Sequence, residues 1–334
     1  MTTLTLSVLL ALLSAASLLT GAADLSPEAL IAGDAGALTV LLASRLPRLL
    51  AAVLAGAGMS IAGLIMQQLC ANKFVSPTTG ATIASAQLGI LLAFVFLPGS
   101  SLPLRTLVAF AAAMAGTAAF MAFALRTRPR DPIMVPLIGI MFSSVIGGVT
   151  SLLAFSFDMT QALSTWLVGH FSLIVRGDYE MVYLVLPLIA LAWAYARHFN
   201  IVGMGRAFSK NLGVNYTAVL AAGLAVSSAM TAAVVSVAGT VPFVGLIVPN
   251  IVSIFKGDDL RSTIADTALG GAVFVLGCDL IARLVIAPYE LPIELVTGVI
   301  GSIVFIALIL RRLRGGGRKA PARTSRALQR RTAS

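Results

Sequence analysis

The fold class that this sequence predicts is an all-α bundle of about ten membrane-spanning helices, and three observations predict it. The chain is 58% hydrophobic and only 11% charged. Its mean hydropathy is +0.98. Its apolar residues gather into stretches near the length of about 20 that a helix needs to cross a bilayer. A soluble domain carries about 25% charged residues, so this chain lacks the polar surface that water would demand. Net charge is +10, but nine of the Lys and Arg lie between Arg311 and Ser334, with no acid among them. The remainder nets about +1. The basic character therefore belongs to one tail suited to anionic lipid, and does not point to nucleic acid.

In chain order the candidate spans are 4–23, 48–70, 79–97, 106–125, 133–156, 179–197, 216–238, 241–255, 266–287 and 292–312. The first has no Lys or Arg before its apolar run, unlike a signal peptide, and is read as a retained helix. Small residues recur in several spans: Gly56, Gly58, Ser60 and Gly63 in the second, Gly147 and Gly148 in the fifth, Gly298 and Gly301 in the tenth. They let helices approach closely where no hydrophobic drive exists between them. The eighth span is short and holds Pro242 and Pro249. Such a span requires protein or a wet path to satisfy the backbone groups that proline frees. In the ninth, Asp279 and Arg283 stand four apart on one helical face and can neutralise each other; a proton or ion relay is the alternative. Residues 1–313 thus form one transmembrane domain. Residues 314–334 form a basic tail too polar to fold, expected to be disordered.

Loop charges orient the bundle. With the N-terminus inside, 18 Lys and Arg fall on the cytoplasmic side and five outside, namely Arg45, Arg48, Arg105, Arg176 and Arg283. Cytoplasmic loops carry the excess of basic residues, so the expectation is a multi-pass membrane protein with both termini in the cytoplasm.

Catalytic chemistry finds no support. The only two histidines, His170 and His198, fall on opposite faces of the membrane in this topology, which disfavours a metal site or a Ser-His pair. His170 is expected on a short outer helix. Cys70 and Cys278 lie in apolar segments without ligand-like neighbours and read as small buried residues. No Walker A sequence occurs, so ATP would have to bind another subunit. The sequence therefore yields no catalytic residue, no metal ligand and no bound cofactor.

Three segments carry a family likeness. One opens the second span: Arg45-Leu46-Pro47-Arg48-Leu49-Leu50-Ala51-Ala52, followed by Gly56, Gly58, Gly63, Gln67, Asn72 and Pro77. Another runs from Gly205 through Arg206, Lys210 and Leu212 to Gly213 and Asn215. The third opens the eighth span, Gly239-Thr240-Val241-Pro242-Phe243-Val244-Gly245-Leu246-Ile247-Val248-Pro249. In this order, among ten spans, they resemble the FecCD-type permeases, importers of iron-siderophores, haem and cobalamin. The resemblance implies a homodimer, or a heterodimer with a sister permease. It also implies two cytoplasmic P-loop ATPase subunits and a periplasmic or lipid-anchored substrate-binding protein. Many members follow the third motif with a His and an Arg; here the chain reads Asn250-Ile251-Val252-Ser253, then Lys256-Gly257-Asp258-Asp259. That variant resembles the branch importing catecholate siderophores such as petrobactin and vibriobactin. Haem or cobalamin cargo is the alternative within the class, and an ion-driven secondary transporter the alternative outside it.

Candidate sites follow. Residues 206–212 make about two helical turns closed by Gly213, which supplies a left-handed cap. Gly205, Arg206, Lys210, Leu212 and Gly213 are the candidate contact with the ATPase, the alternative being an ordinary interfacial helix. Outer arginines run against the positive-inside trend and need a reason. Arg45 and Arg48 share a face three residues apart, and the resemblance implies that outer arginines meet glutamates of the binding protein; lipid anchoring or a pair with Asp34 is the alternative. Arg105 and Arg176 are further candidates for that surface. The resemblance implies a path between protomers lined by the fifth and tenth spans, and Ser143, Ser144 and Thr150 are candidate lining residues there.

Overall fold

The structure is a computed structural model and describes residues 3–21, 34–79, 81–127, 134–287 and 289–316. Its elements in chain order are α1 (Thr3–Leu19), α2 (Ala35–Val40), a π-helical turn (Leu41–Arg45) and α3 (Leu46–Leu69). There follow α4 (Thr82–Phe96), α5 (Leu102–Thr127), α6 (Met134–Ser156), α7 (Thr160–Leu167) and α8 (Val185–Gly203). The last are α9 (Arg206–Asn211), α10 (Tyr216–Ala238), α11 (Val244–Lys256), α12 (Leu260–Leu284) and α13 (Ile293–Gly316). No strand occurs among the described residues.

Among the described residues seven helices are long and apolar enough to cross a membrane: Ala35–Leu69, Leu102–Ala124, Leu137–Ser156, Glu180–Gly203, Tyr216–Ala238, Leu260–Leu284 and Ile293–Arg311. The other three expected spans coincide with shorter apolar helices, α1, α4 and α11. The N-terminal stretch is helical and packs against α12. Beyond Gly316 the basic tail lies outside the described residues, as do Asp24, Glu28, Arg128 and Arg130.

The bundle is built around α3, which packs against α8, α10, α11 and α12. Its small residues make this possible. A Cβ at Gly56 would collide with the Gly271 carbonyl of α12, and one at Gly63 with the Gly245 carbonyl of α11. Between them Ser60 donates to Thr267 O at 2.9 Å. Backbones thus touch where van der Waals contact and hydrogen bonding, rather than hydrophobic drive, must hold helices together. The glycines of α6 and α13 divide differently. Gly301 meets Phe243, whereas Gly147, Gly148 and Gly298 have open space beside them. These three do not serve helix packing within the protomer.

Two prolines free carbonyls inside apolar structure, and each carbonyl is recaptured from a distance. Pro47 cannot donate to Ala43 O, four residues back; the backbone N–H of Arg176 does so at 3.0 Å. The turn ahead of it relaxes to π geometry, with Leu46 N bonding Leu41 O. Pro249 lies inside α11 and likewise leaves Gly245 O without its helical donor. Gln67 Nε2 reaches across from α3 to Gly245 O and Leu246 O, both at 3.2 Å. The protein itself therefore supplies the partner that the proline-interrupted eighth span requires. The helical part is only 13 residues long. Its lead-in is non-helical, with Gly239 at φ +69° and Phe243 at φ +66°. The Phe243 ring rests on Phe305 of α13, centroids 6.3 Å apart.

Leaving a buried acceptor without its donor costs about 1–3 kcal/mol. Gln67→Leu keeps the side-chain volume but leaves Gly245 O without a donor, while Leu246 O retains Asn250 Nδ2 at 2.7 Å, so the detergent-purified protein is expected to unfold several degrees lower than wild type. Gln67→Glu cannot donate when ionised and should be no better. A thermal melt of Gln67→Leu matching wild type would show that the Gly245 carbonyl is satisfied some other way.

Candidate functional site

The bundle has two polar ends. At one, two arginines share the carboxylate of Asp279, and one of them reaches a second carboxylate. Arg48 donates to Asp279 Oδ1 through Nη2 at 2.8 Å and to Glu290 Oε2 through Nη1 at 2.8 Å. Asp279 also pairs with Arg283, as their four-residue spacing leads one to expect. Arg283 continues to α1, donating to Ser17 O, Thr20 O and Ser17 Oγ at 3.0–3.1 Å. Arg45 donates to Thr20 O as well. The final carbonyls of α1, where the helix dipole is negative, are thus capped by guanidinium groups from α12 and from the π-turn before α3. Asp279 is 1% exposed, and Arg45 and Arg48 only 7% and 9%.

This corrects the expectation that Arg45 and Arg48 form an exposed outer pair. Both are buried: Asp279 and Glu290 come to Arg48 from α12 and the loop after it, and Arg45 turns to Thr20 O beyond the end of α1. Asp34, the partner considered for them, instead caps α2, accepting from Ala37 N at 3.2 Å. Arg105 is half-buried, bonded to Ser100 Oγ at 3.0 Å and stacked over Phe94 at 5.0 Å. Arg176 is exposed. His170 lies after the end of α7, not on that short helix.

At the opposite end α9 stands out. Gly205 precedes it at φ +101° and Gly213 follows it at φ +72°. Gly213 N bonds Lys210 O at 3.1 Å and Val214 N bonds Ser209 O at 2.9 Å, the paired bonds of a Schellman cap. Helix α9 is held to the bundle through Ser209, which is fully buried and donates to Gly205 O and Ile201 O. Met204, Phe208 and Leu212, each four apart, are 66%, 44% and 54% exposed. Arg206 and Lys210 are exposed beside them. An apolar ridge flanked by cations therefore projects from this end.

Close by, the connection after α3 is tied to α11. Asn250 Nδ2 donates to Lys73 O at 2.7 Å, while Lys73 Nζ reaches Ser253 Oγ and Asp258 Oδ1, both at 2.6 Å. A cleft of about 230 Å³ lies between them, lined in part by Gln67, Lys73, Ser253 and Asp258. Asp259 caps α12, and its bonds from Ser262 hold its carboxyl below the usual carboxylate range.

The lining candidates sit on α6. Ser144 is exposed, Ser143 half-buried and Thr150 only 2% exposed. Ser144 and Thr150 donate to carbonyls four residues back, Ile140 O and Ile146 O. Thr150 therefore faces into the protomer rather than an open path. Among the seven long spans described, α6 and α13 are the most exposed. Among the described residues no group of three or more His, Cys, Asp or Glu could hold a metal.

Spans interrupted by proline, backbone-to-backbone helix contacts and a projecting end helix define a polytopic helical membrane protein. The FecCD transport family matches residues 9–311, and the chain belongs to that family. It is 46% identical over 307 residues to the petrobactin import system permease protein YclN of Bacillus subtilis, spanning 92% of this chain and 97% of that one. It is 36% identical to the ferric-anguibactin transport system permease protein FatD of Vibrio anguillarum, over 90% and 95% of the two chains. A solved metal-chelate type ABC transporter in an inward-facing conformation shares the fold. The TM-score is 0.79 at 24% identity, covering 92% of this chain and 98% of that one.

Sequence reasoning missed that Arg48, Asp279, Arg283 and Glu290 form one network, and that Gln67, Lys73, Asn250, Ser253 and Asp258 tie α11 in place. The amides of Gln67 and Gln68 near the end of an apolar span, with a proline-broken helix elsewhere, were the available signal. Removing one partner of a buried ion pair costs about 3–5 kcal/mol, and Asp279 serves two arginines. Asp279→Ala is therefore expected to lower the yield of folded protein and its melting temperature sharply. Glu290→Gln should do far less, since the Glu290 side chain is 26% exposed. Equal melting shifts for the two variants would refute this ranking.

Proposed function

We propose that this chain is the permease subunit of an ATP-driven importer that carries a ferric siderophore of the catecholate type across the inner membrane. The observation that carries this reading is near-full-length likeness to permeases of petrobactin and anguibactin import. Two copies, or this chain and a sister permease, enclose the path, with α6 and α13 at the seam. The open space beside Gly147, Gly148 and Gly298 supports that placing. Ser144 is the lining candidate that suits it, and Thr150 no longer does.

Both termini lie in the cytoplasm in this reading, so α9 faces the ATPase. Its ridge of Met204, Phe208 and Leu212 is the shape that a groove in a soluble partner accepts. ATP is hydrolysed there, in a separate subunit. The arginine end faces outward and receives the binding protein. Arg176 is its most accessible cation, with Arg105 beside a ring; a carboxylate seeking Arg48 would compete with Glu290.

Leu212→Asp would place a carboxylate in the partner's apolar groove, at a cost of several kcal/mol if it stays charged and unpaired. The variant is expected to insert normally and bind the loaded binding protein, yet to lose ATPase co-purification and uptake of ferric petrobactin. Gly213→Val should also lower uptake, because a β-branched residue resists the left-handed cap. Wild-type uptake by Leu212→Asp would remove α9 from the coupling role. Uptake that persists without any ATPase would overturn the ATP-driven reading as a whole.

A further inference from the structure

A groove of about 230 Å³ opens between α1, α11 and α12 at the same end as α9. Leu6, Val248, Ile251, Phe255, Val273 and Phe274 contribute to its walls. Gly270 lies among them, and a Cβ there would come within 3.1 Å of Val248 Cγ1. Lys256, the last residue of α11, lines one end. Its ammonium pairs with Asp266 and donates to Thr3 Oγ1 at 3.2 Å. Asp266 is 3% exposed, and its Oδ1 accepts no hydrogen bond among the described residues.

We propose that this groove holds one acyl chain of a phospholipid, with the lipid phosphate on Lys256. Away from Lys256 and Asp266 the walls give water nothing to bond, and apolar space of that kind stays dry. In a bilayer the material at hand is hydrocarbon. From Val248 to Lys256 the groove follows eight residues of helix, about 12 Å, a run suited to an extended alkyl segment. An ammonium has three N–H donors, and Asp266 and Thr3 engage two. Lysine at a helix end lays its stem along apolar surface and carries its charge to the headgroup level. Because Asp266 offsets the Lys256 charge, the lipid is selected by its phosphate rather than by net negative charge. The chain's own end is a poor occupant. Residues 317–334 hold six Lys or Arg and only one Leu.

Native mass spectrometry of the purified full chain tests this, with phosphatidylglycerol, phosphatidylethanolamine, diacylglycerol and inorganic phosphate as separate probes. Wild type is expected to retain one equivalent of either phospholipid through delipidation, and to bind diacylglycerol or phosphate alone at least about tenfold more weakly. Val273→Trp and Ile251→Trp each fill the groove and should lose that equivalent. The double variant Lys256→Met with Asp266→Leu removes the ion pair together and leaves no buried charge alone. It should bind phosphatidylglycerol and diacylglycerol equally. Unchanged retention in both tryptophan variants, with their melting temperatures preserved, would overturn the proposal. So would occupancy by detergent only, or a cross-link from Ile251→Cys to a second copy.

Discussion

Direct contact between the main chains of α3, α11 and α12 is the constraint on which the rest of this structure depends. Gly56 abuts the carbonyl of Gly271, and Gly63 that of Gly245. Only at this separation does the Gln67 amide reach two carbonyls of α11, and only then does Ser60 reach Thr267. Lipid is as apolar as leucine, so burying leucine between helices gains little there. Proximity of backbones, and the polar contacts it permits, takes the place of a hydrophobic core as the organising force.

That arrangement explains how the chain tolerates non-helical backbone inside a membrane. The stretch from Gly239 to Phe243 forgoes regular helical bonding, and Pro47 and Pro249 each free a carbonyl. Hydrocarbon would make each unpaired group cost several kcal/mol. The protein answers with a main-chain donor from Arg176 in one case and a side-chain donor from Gln67 in the other. The two devices sit near opposite ends of α3. Only the second comes from α3 itself; the first comes from the loop ahead of α8, which meets the π-turn where α3 begins.

What was legible in the sequence is what depends on neighbours along the chain. The apolar stretches, the cap at Gly213 and the pairing of Asp279 with Arg283 all follow from spacings of a few residues, and all appear in the structure. Three expected spans are shorter as helices than as apolar stretches, since composition does not register where hydrogen bonding stops. Partners remote in sequence were not legible. Arg48 and Asp279 are 231 positions apart, Lys73 and Asp258 185, Gln67 and Gly245 178. The error over Arg45 and Arg48 has the same origin. An arginine outside the expected side signals that something compensates its charge, but not whether the compensating group belongs to this chain or to another.

The contact at Gly63 has a consequence for how the protein can change over generations. When a side chain obstructs a larger substitution, a second change that trims the obstructing residue restores the fit. Here the obstruction is a carbonyl, and the residue bearing it is already glycine. No replacement at position 245 can make room for an alanine at position 63. Relief would have to come from moving a whole helix, and α11 is bound to α3 through Gln67. Positions of this kind have no local suppressor, so lineages can diverge widely around them while the pair itself stays locked.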